Sequence, residues 1–200
     1  MNSKSGTTTI QTELLQQAIN ASAAGDGAAA IRFLKEAVSR PDRTGTAHFV
    51  LGAEYAQMQM YEEAIGEMET AVLLDPTLLT ARLQVGLLHL TCANPSRALE
   101  LLTPLADTTA EHPLACFARG LIHLIRDEFE ATIDSLNRGI ELNKENPALN
   151  NDMLKIITQV KLILSGNNSA STQTPSAATP TSDSQHLFIS AYTSNKKIDS

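Results

Sequence analysis

Two histidines and two cysteines are the side chains that we considered as candidate metal ligands in this sequence. His89 and His123 occupy the same position in successive repeats of the sequence, and Cys92 and Cys116 are the only cysteines of the chain. Imidazole and thiolate are the ligands that zinc prefers, but a structural zinc site needs four ligands at fixed spacings. Neither cysteine belongs to a CxxC pair. We therefore expect both imidazoles to hydrogen-bond locally, and we assign no metal and no cofactor.

Catalytic motifs give no clearer signal. The patterns GxSxG, HExxH and GxxxxGK[ST] do not occur, and no nucleophile stands with a base and an orienting group. Glu62 and Glu63, and then Glu67 and Glu69, form acidic pairs on one predicted helix. Paired carboxylates can do acid–base chemistry, but a solvated helix face explains them better. We expect no catalytic residue and no enzymatic activity.

The composition limits the classes of partner and compartment. The 200 residues allow one domain and a tail, and the formal charge of −7 argues against nucleic acid and anionic membranes. No apolar run is long enough to span a bilayer, and from the polar first residues we expect no secretory signal. Two isolated cysteines indicate buried or semi-buried free thiols in a reducing compartment. The sequence therefore predicts a cytoplasmic protein.

Glycine recurs at a constant interval. Gly52, Gly86 and Gly120 are equally spaced along the chain, and their 34-residue interval is typical of stacked supersecondary units. A single unit cannot bury its own apolar face, so neighbouring units must pack together. The period divides the chain into units over 11–44, 45–78, 79–112 and 113–146, followed by a capping helix over 147–164.

The residues within each unit resemble those of the tetratricopeptide repeat (TPR) family. The best unit carries the family's residues at Leu51, Gly52, Tyr55, Tyr61, Ala64, Ala71 and Pro76. The resemblance covers about residues 11–146, although the family's early tryptophan is replaced by His48, Arg82 and Cys116. It implies an all-α TPR superhelix, an α-solenoid of helix–turn–helix units in which the first helix of each unit lines a concave groove.

Two prolines of the third unit have opposite effects. Pro95 follows Asn94, a good capping residue, so it predicts the first position of a helix. Pro104 falls inside the same helix, where a proline costs about 3 kcal/mol unless the helix bends or ends. We expect a kink or a shortened helix there.

The groove that the TPR resemblance implies has an apolar lining. A TPR domain that grips the acidic C-terminus of a heat-shock chaperone uses lysine and asparagine at these slots, and that clamp is absent here. An exposed apolar groove indicates a site for an apolar or amphipathic peptide. The alternative is that some of these residues belong to the core because the register is off by one. The lining residues are Phe49, Val50, Ala53, Gln57, Leu83, Gln84, Leu87, Leu90, Phe117, Leu121 and Leu124.

The ends of the chain differ in composition from the repeats. Residues 1–10 predict a disordered N-terminus, and the Ser/Thr/Pro-rich residues 165–185 predict a flexible linker. Residues 186–200 carry an apolar motif at Leu187, Phe188, Ile189 and Tyr192. We expect this motif to occupy a groove, its own or a neighbour's, from which a true partner displaces it. The competing interpretation is a free address that another protein binds.

These observations predict a non-enzymatic protein-binding adaptor or chaperone. It would hold an apolar or amphipathic segment of a client protein in the groove, with its own tail as an internal inhibitor. One alternative is an assembly scaffold that forms a homodimer by exchanging tails or by joining the edges of two repeat arrays. Another alternative is a chaperone that holds translocator subunits of type III secretion, a class that this chain resembles. Size, acidity and groove agree with that class, but the long tail and the fourth unit do not.

Overall fold

The structure, a computed structural model, describes residues 3–108 and 111–166, with side chains from residue 10 to 165. Within these ranges the chain is all-helical and no strand occurs, which confirms the predicted fold class. No helix there is long and apolar enough to cross a bilayer. The helices are α1 (Ser3–Ala23), α2 (Gly27–Ser39), α3 (Gly45–Gln57), α4 (Tyr61–Leu74), α5 (Leu79–Thr91), α6 (Pro95–Ala106), α7 (Pro113–Ile125), α8 (Phe129–Leu142) and α9 (Pro147–Gly166).

The chain divides after Ala93 into two compact units. In the first, the helices α1 to α5 each pack against the next, and in the second the helices α6 to α9 do the same. Sequential neighbours pack together because the helices from α2 to α8 have only 12 to 14 residues, too few to be stable alone. Each buries its apolar side against the next helix. Helices α3, α5 and α7 begin at Gly45, Leu79 and Pro113, where the period of the sequence places the starts of repeats.

The period appears in the backbone of the turns as well as in the sequence. A residue just beyond the first helix of each pair adopts a left-handed conformation, which lets the chain reverse direction. After Gln59, for example, the Met60 N–H donates to the Tyr55 carbonyl at 2.9 Å, as in a Schellman motif. The left-handed residues are Gly25 (φ 79°), Gln59 (φ 61°), Ala93 (φ 56°) and Asp127 (φ 58°).

The recurring glycine lets the two helices of a pair approach closely. A Cβ added at Gly52 would lie 2.6 Å from Cγ of Met68, and one added at Gly120 would lie 2.5 Å from Cδ2 of Leu136. Both distances are far inside ordinary carbon–carbon contact. The glycine slot therefore fixes the spacing of α3 on α4 and of α7 on α8.

The N-terminus differs from its prediction. Helix α1 begins at Ser3, so residues 3–10, which the sequence assigned to a disordered segment, are helical. Once a helix exists, each added residue gains a backbone hydrogen bond, and serine and threonine lower helix stability by only a few tenths of a kcal/mol relative to alanine. The predicted start of the first unit at residue 11 thus marked the packed part of α1, where Gln11 and Leu14 are buried, and not the start of the helix.

The two prolines of α6 act as the sequence predicts. The side chain of Asn94 accepts from the Arg97 N–H at 3.4 Å, and Pro95 is the first residue of the helix. Pro104 lies in the last turn of α6, which has 12 residues against 14 in α4 and α8. The helix continues for two residues beyond the proline and ends at Ala106, so it is shortened as expected.

A cluster of asparagines joins α8 to α9. Asn143 Nδ2 donates to the Asn146 carbonyl at 2.9 Å and to Asn150 Oδ1 at 2.7 Å, and Asn150 Nδ2 donates back to the Asn143 carbonyl at 2.9 Å. Asn146 Oδ1 accepts from the Leu149 N–H at 3.0 Å and caps α9. These bonds satisfy buried polar groups and hold the entry to α9 in one geometry.

Candidate protein-binding surface

Most residues that the sequence assigned to an open groove are buried in the structure. The expectation of an exposed apolar lining is corrected for these residues, which belong to the core. Those left partly exposed are Gln57, Leu87, Leu90 and Leu124. The buried ones are Phe49, Val50, Ala53, Leu83, Gln84, Phe117 and Leu121.

Phe117 shows why the groove assignment failed. Its ring packs against α8 at Gly139, where an added Cβ would lie 2.4 Å from Cδ1 of the ring. A side chain in that position fills the contact between α7 and α8 and cannot line a groove. Glycine at residue 139 is what admits the ring, because any larger residue would occupy the same space.

Helix α3 shows the same effect on a larger scale. Its residues from Ala47 to Ala56 are all buried, so the helix has no solvated stripe. When a helix is apolar on one side only, its sequence pattern shows which residues are buried and which are exposed. A helix that is buried all round has no such pattern. The slots taken from the TPR resemblance therefore could not tell groove residues from core residues in this helix.

Among the predicted groove residues of the first unit, the apolar side chains that stay partly exposed lie on α5. Leu87 and Leu90 are half-buried and stand one helical turn apart, so they are neighbours on one side of the helix. Gln57 of α3 is also half-buried, and its Nε2 has no hydrogen-bond partner among the residues that the structure describes. In the second unit the half-buried candidate is Leu124 of α7.

The carboxylates of α4 link it to both neighbouring helices. His48 Nδ1 of α3 lies 2.6 Å from Glu67 Oε2, and His89 Nε2 of α5 lies 3.2 Å from Glu69 Oε1. Both histidines are buried, whereas the glutamates are about one-third exposed. The sequence treated these glutamates as a solvated face, and tertiary packing instead pairs them with the imidazoles.

His123 forms a corresponding pair in the second unit. Its Nδ1 hydrogen-bonds the carboxylate of Glu128, at the start of α8. Both histidines that could have been metal ligands thus bond to a nearby carboxylate, as expected from the sequence. Between residues 3 and 166, leaving out 109–110, no three His, Cys, Asp or Glu side chains come together as a metal-binding group.

The two cysteines are free and lie in different surroundings. Cys116 is buried, with Nη2 of Arg119 3.1 Å from its sulfur. Cys92 is exposed, so the expectation that both thiols are buried or semi-buried is wrong for this residue. The reason is its place just after α5, beside the left-handed Ala93, where the chain turns through solvent.

Two carboxyl groups with a raised pKa, buried Glu54 and half-buried Asp152, were not singled out from the sequence. Burial raises the pKa of Glu54 in α3, while a hydrogen bond from Ser22 lowers it. Burial also raises the pKa of Asp152 in α9, which Lys155 opposes through a contact at 3.3 Å. Desolvation penalises the charged form of both groups. Sequence reasoning had no signal for either, because neither belongs to a motif or a charge run.

Among the described residues of the second unit, the exposed large apolar side chains all lie on the last helix. Met153, Ile157 and Val160 are buried, as a capping helix requires. The opposite side is not simply solvating, because Leu154 is 45% exposed and Leu162 is 57% exposed. Ile163, next to Leu162 in the last turns of the helix, is 45% exposed. The tail motif of Leu187, Phe188, Ile189 and Tyr192 lies outside the described residues.

Comparison with solved structures supports the fold. The structure "MamA 41-end from Desulfovibrio magneticus RS-1" superposes with a TM-score of 0.59 at 14% identity, over 96% of this chain and 98% of that one. "Crystal structure of MamA protein" gives 0.56 at 16% identity, over 83% and 98%. No protein-family model and no curated protein matches the chain. At these identities the likeness shows the fold alone, and with the constant spacing of the glycines it supports a TPR-type helical repeat.

Proposed function

We propose that this protein is a non-enzymatic binding module, an adaptor or chaperone that holds an apolar or amphipathic segment of a partner protein. The observation that carries the proposal is the pair Leu87 and Leu90 on α5. This helix buries most of its residues, yet leaves these two leucines partly exposed on one side. Helical repeats commonly use such surfaces for partners, and the paired leucines favour a helix with apolar residues three or four apart.

The charge of the chain indicates which charge the partner segment carries. A formal charge of −7 gives the protein a negative field at neutral pH, which speeds association with positively charged segments. Burying apolar side chains supplies affinity, whereas charges at the rim mainly supply rate and selectivity. The partner segment we propose is therefore an amphipathic helix with lysine or arginine beside its apolar stripe.

Selection from a random peptide library displayed on phage, with the full-length protein as bait, tests this proposal. We expect enrichment of basic amphipathic sequences. The affinity of a selected peptide, measured by fluorescence anisotropy, should fall about tenfold in Leu87→Ala and in Leu90→Ala, which corresponds to about 1.4 kcal/mol. Leu73→Ala is the matched control, because Leu73 is 81% exposed on α4. An equal loss in the control, or no enrichment, would contradict the proposal.

An assembly scaffold is the second candidate, and the exposed leucines of α9 favour it. A second copy of the chain could cover Leu154 and Leu162, which are exposed on α9. Sedimentation of the full-length protein over a hundredfold range of concentration decides the question. A mass that rises with concentration, and that falls back in Leu154→Asp, supports the scaffold. A monomer at every concentration excludes it.

A further inference from the structure

Helix α9 stands where the first helix of another repeat would stand. It begins at Pro147, one full repeat period after Pro113, which begins α7. Leu154 likewise stands one period after Gly120, in the slot that faces the second helix of a repeat. Gly120 is covered there by Leu136 of α8. Up to residue 166 no second helix follows α9, so the equivalent side of α9 is uncovered and Leu154 is 45% exposed.

An ordinary second helix would not fit on this side. At Gly120 an added Cβ would already lie 2.5 Å from Leu136, and Leu154 adds a whole isobutyl group in the same slot. The backbone also departs from the repeat, because Lys161 is helical where Asp127 is left-handed. The helix therefore continues without a turn and presents Leu162, 57% exposed, beyond that point. What covers these two leucines must lie farther from the axis of α9 than α8 lies from α7.

We propose that residues 186–192 of the same chain cover this side of α9, with Leu187, Phe188 and Ile189 packed on Leu154 and Leu162. These residues follow α9 after a polar linker and form a short apolar segment. A short segment needs less space than a full helix, so it can pack on this surface even though Leu154 prevents a second helix from approaching closely. The contact removes apolar side chains from water on both sides, which is what stabilises it.

The length of the linker matches the distance to be covered. Residues 167–185 have the composition of a flexible linker, for which about twenty residues give an r.m.s. length of about 25 Å. Leu154 lies about three turns before Gly166 on the helix, or about 18 Å along its axis. A tether of this length gives an effective concentration of about 1 mM. Even a contact with a dissociation constant of about 0.1 mM would then be closed roughly ten times as often as open.

The absence of tryptophan from the sequence makes the contact directly measurable. Phe188→Trp places a single tryptophan in the segment, and its emission and its quenching by acrylamide report its exposure to water. We expect a blue-shifted, poorly quenched tryptophan in the full-length protein. Adding Leu154→Asp, or Leu162→Asp, should shift the emission to that of a free peptide. Leu73→Asp, which charges an exposed leucine of α4, should leave it unchanged.

The contact in cis is distinguished from a contact between copies by dilution. Blue-shifted emission that stays constant over a hundredfold dilution supports the proposal. Emission that turns red on dilution would show that a second copy supplies the segment, and the proposal would be overturned. It is also overturned if tryptophan at 188 is fully exposed while a photo-crosslinker at residue 154 fails to capture residues 186–192. None of these outcomes bears on Leu87 and Leu90, so the proposed function stands or falls separately.

Discussion

Adding one methyl group at Gly139 should destabilise the second unit, because the Phe117 ring already fills that space. An ideal Cβ at Gly139 would lie 2.4 Å from both Cδ1 and Cε1 of Phe117, whereas carbons in contact settle at about 3.5–4.0 Å. Phe117 is fully buried, so the ring must move by about an ångström within a close-packed core. Overpacking of this kind costs about 1–3 kcal/mol.

Gly66 provides a matched control for this substitution. It also lies inside a helix, α4, but nothing comes within 4 Å of an added Cβ. Replacing a helical glycine with alanine stabilises by up to about 1 kcal/mol at either position. Gly66→Ala should therefore raise stability, and the difference between the two variants isolates the overlap with Phe117. We expect that difference to be about 1–3 kcal/mol.

Urea unfolding followed by far-UV circular dichroism measures both effects, with each variant compared with the wild-type protein. The midpoints should move in opposite directions, and the slope m should not change, because neither variant alters the surface exposed on unfolding. In a double-mutant cycle, Phe117→Leu should cost less when Gly139→Ala is present than when it is absent. Equal shifts for the two alanines, or an additive cycle, would show that Phe117 does not pack against α8 and would reopen its assignment to a groove.

Two further predictions concern buried polar groups. Burial holds the folded-state pKa of Glu54 above its ordinary value of 4.5, so the folded protein binds more protons than the unfolded chain and loses stability as pH rises through that window. Glu54→Gln should remove this loss, so the free energy of unfolding of the variant, measured in urea, should exceed that of wild type by an amount that grows above pH 4.5. The same pH-dependent gain in the exposed Glu63→Gln would refute the assignment. Asn143→Ala leaves the Asn150 Oδ1 and the Asn146 N–H without their partner and should cost about 1–3 kcal/mol by thermal or urea unfolding. A loss no larger than that of the exposed Asn137→Ala would show that the asparagine cluster contributes nothing.

The fold was accessible from the sequence because its signals are local and repeated. The glycine slot needs close approach of two helices, and that need recurs along the chain, so Gly52 and Gly120 reveal it without coordinates. Asn94 and Pro95 act within one turn of the chain, and Pro104 lies near the end of the helix that contains it. Each of these residues constrains its own backbone, so a structure is not needed to infer the effect.

The candidate surface was less accessible because burial depends on neighbours far along the chain. The slots that a TPR resemblance assigns to the groove include Phe117, and only the contact with Gly139 of the following helix turns its ring into the core. Glu67 and Glu69 look solvated in the sequence, yet they bond to histidines of two different helices. The sequence places Leu154 in a capping helix, but only the structure shows that this leucine lies on an uncovered side of α9.

The sequence by itself therefore determined the class of fold, the period of its repeats and the places where most helices begin. Those properties follow from backbone geometry and from hydrogen-bonding groups within a few residues of one another. The tertiary structure alone decided which apolar side chains face a neighbouring helix and which, such as Leu87, Leu90 and Leu162, stay in contact with water. That choice depends on the distance and rotation between helices, which are set jointly by all the side chains at their contact.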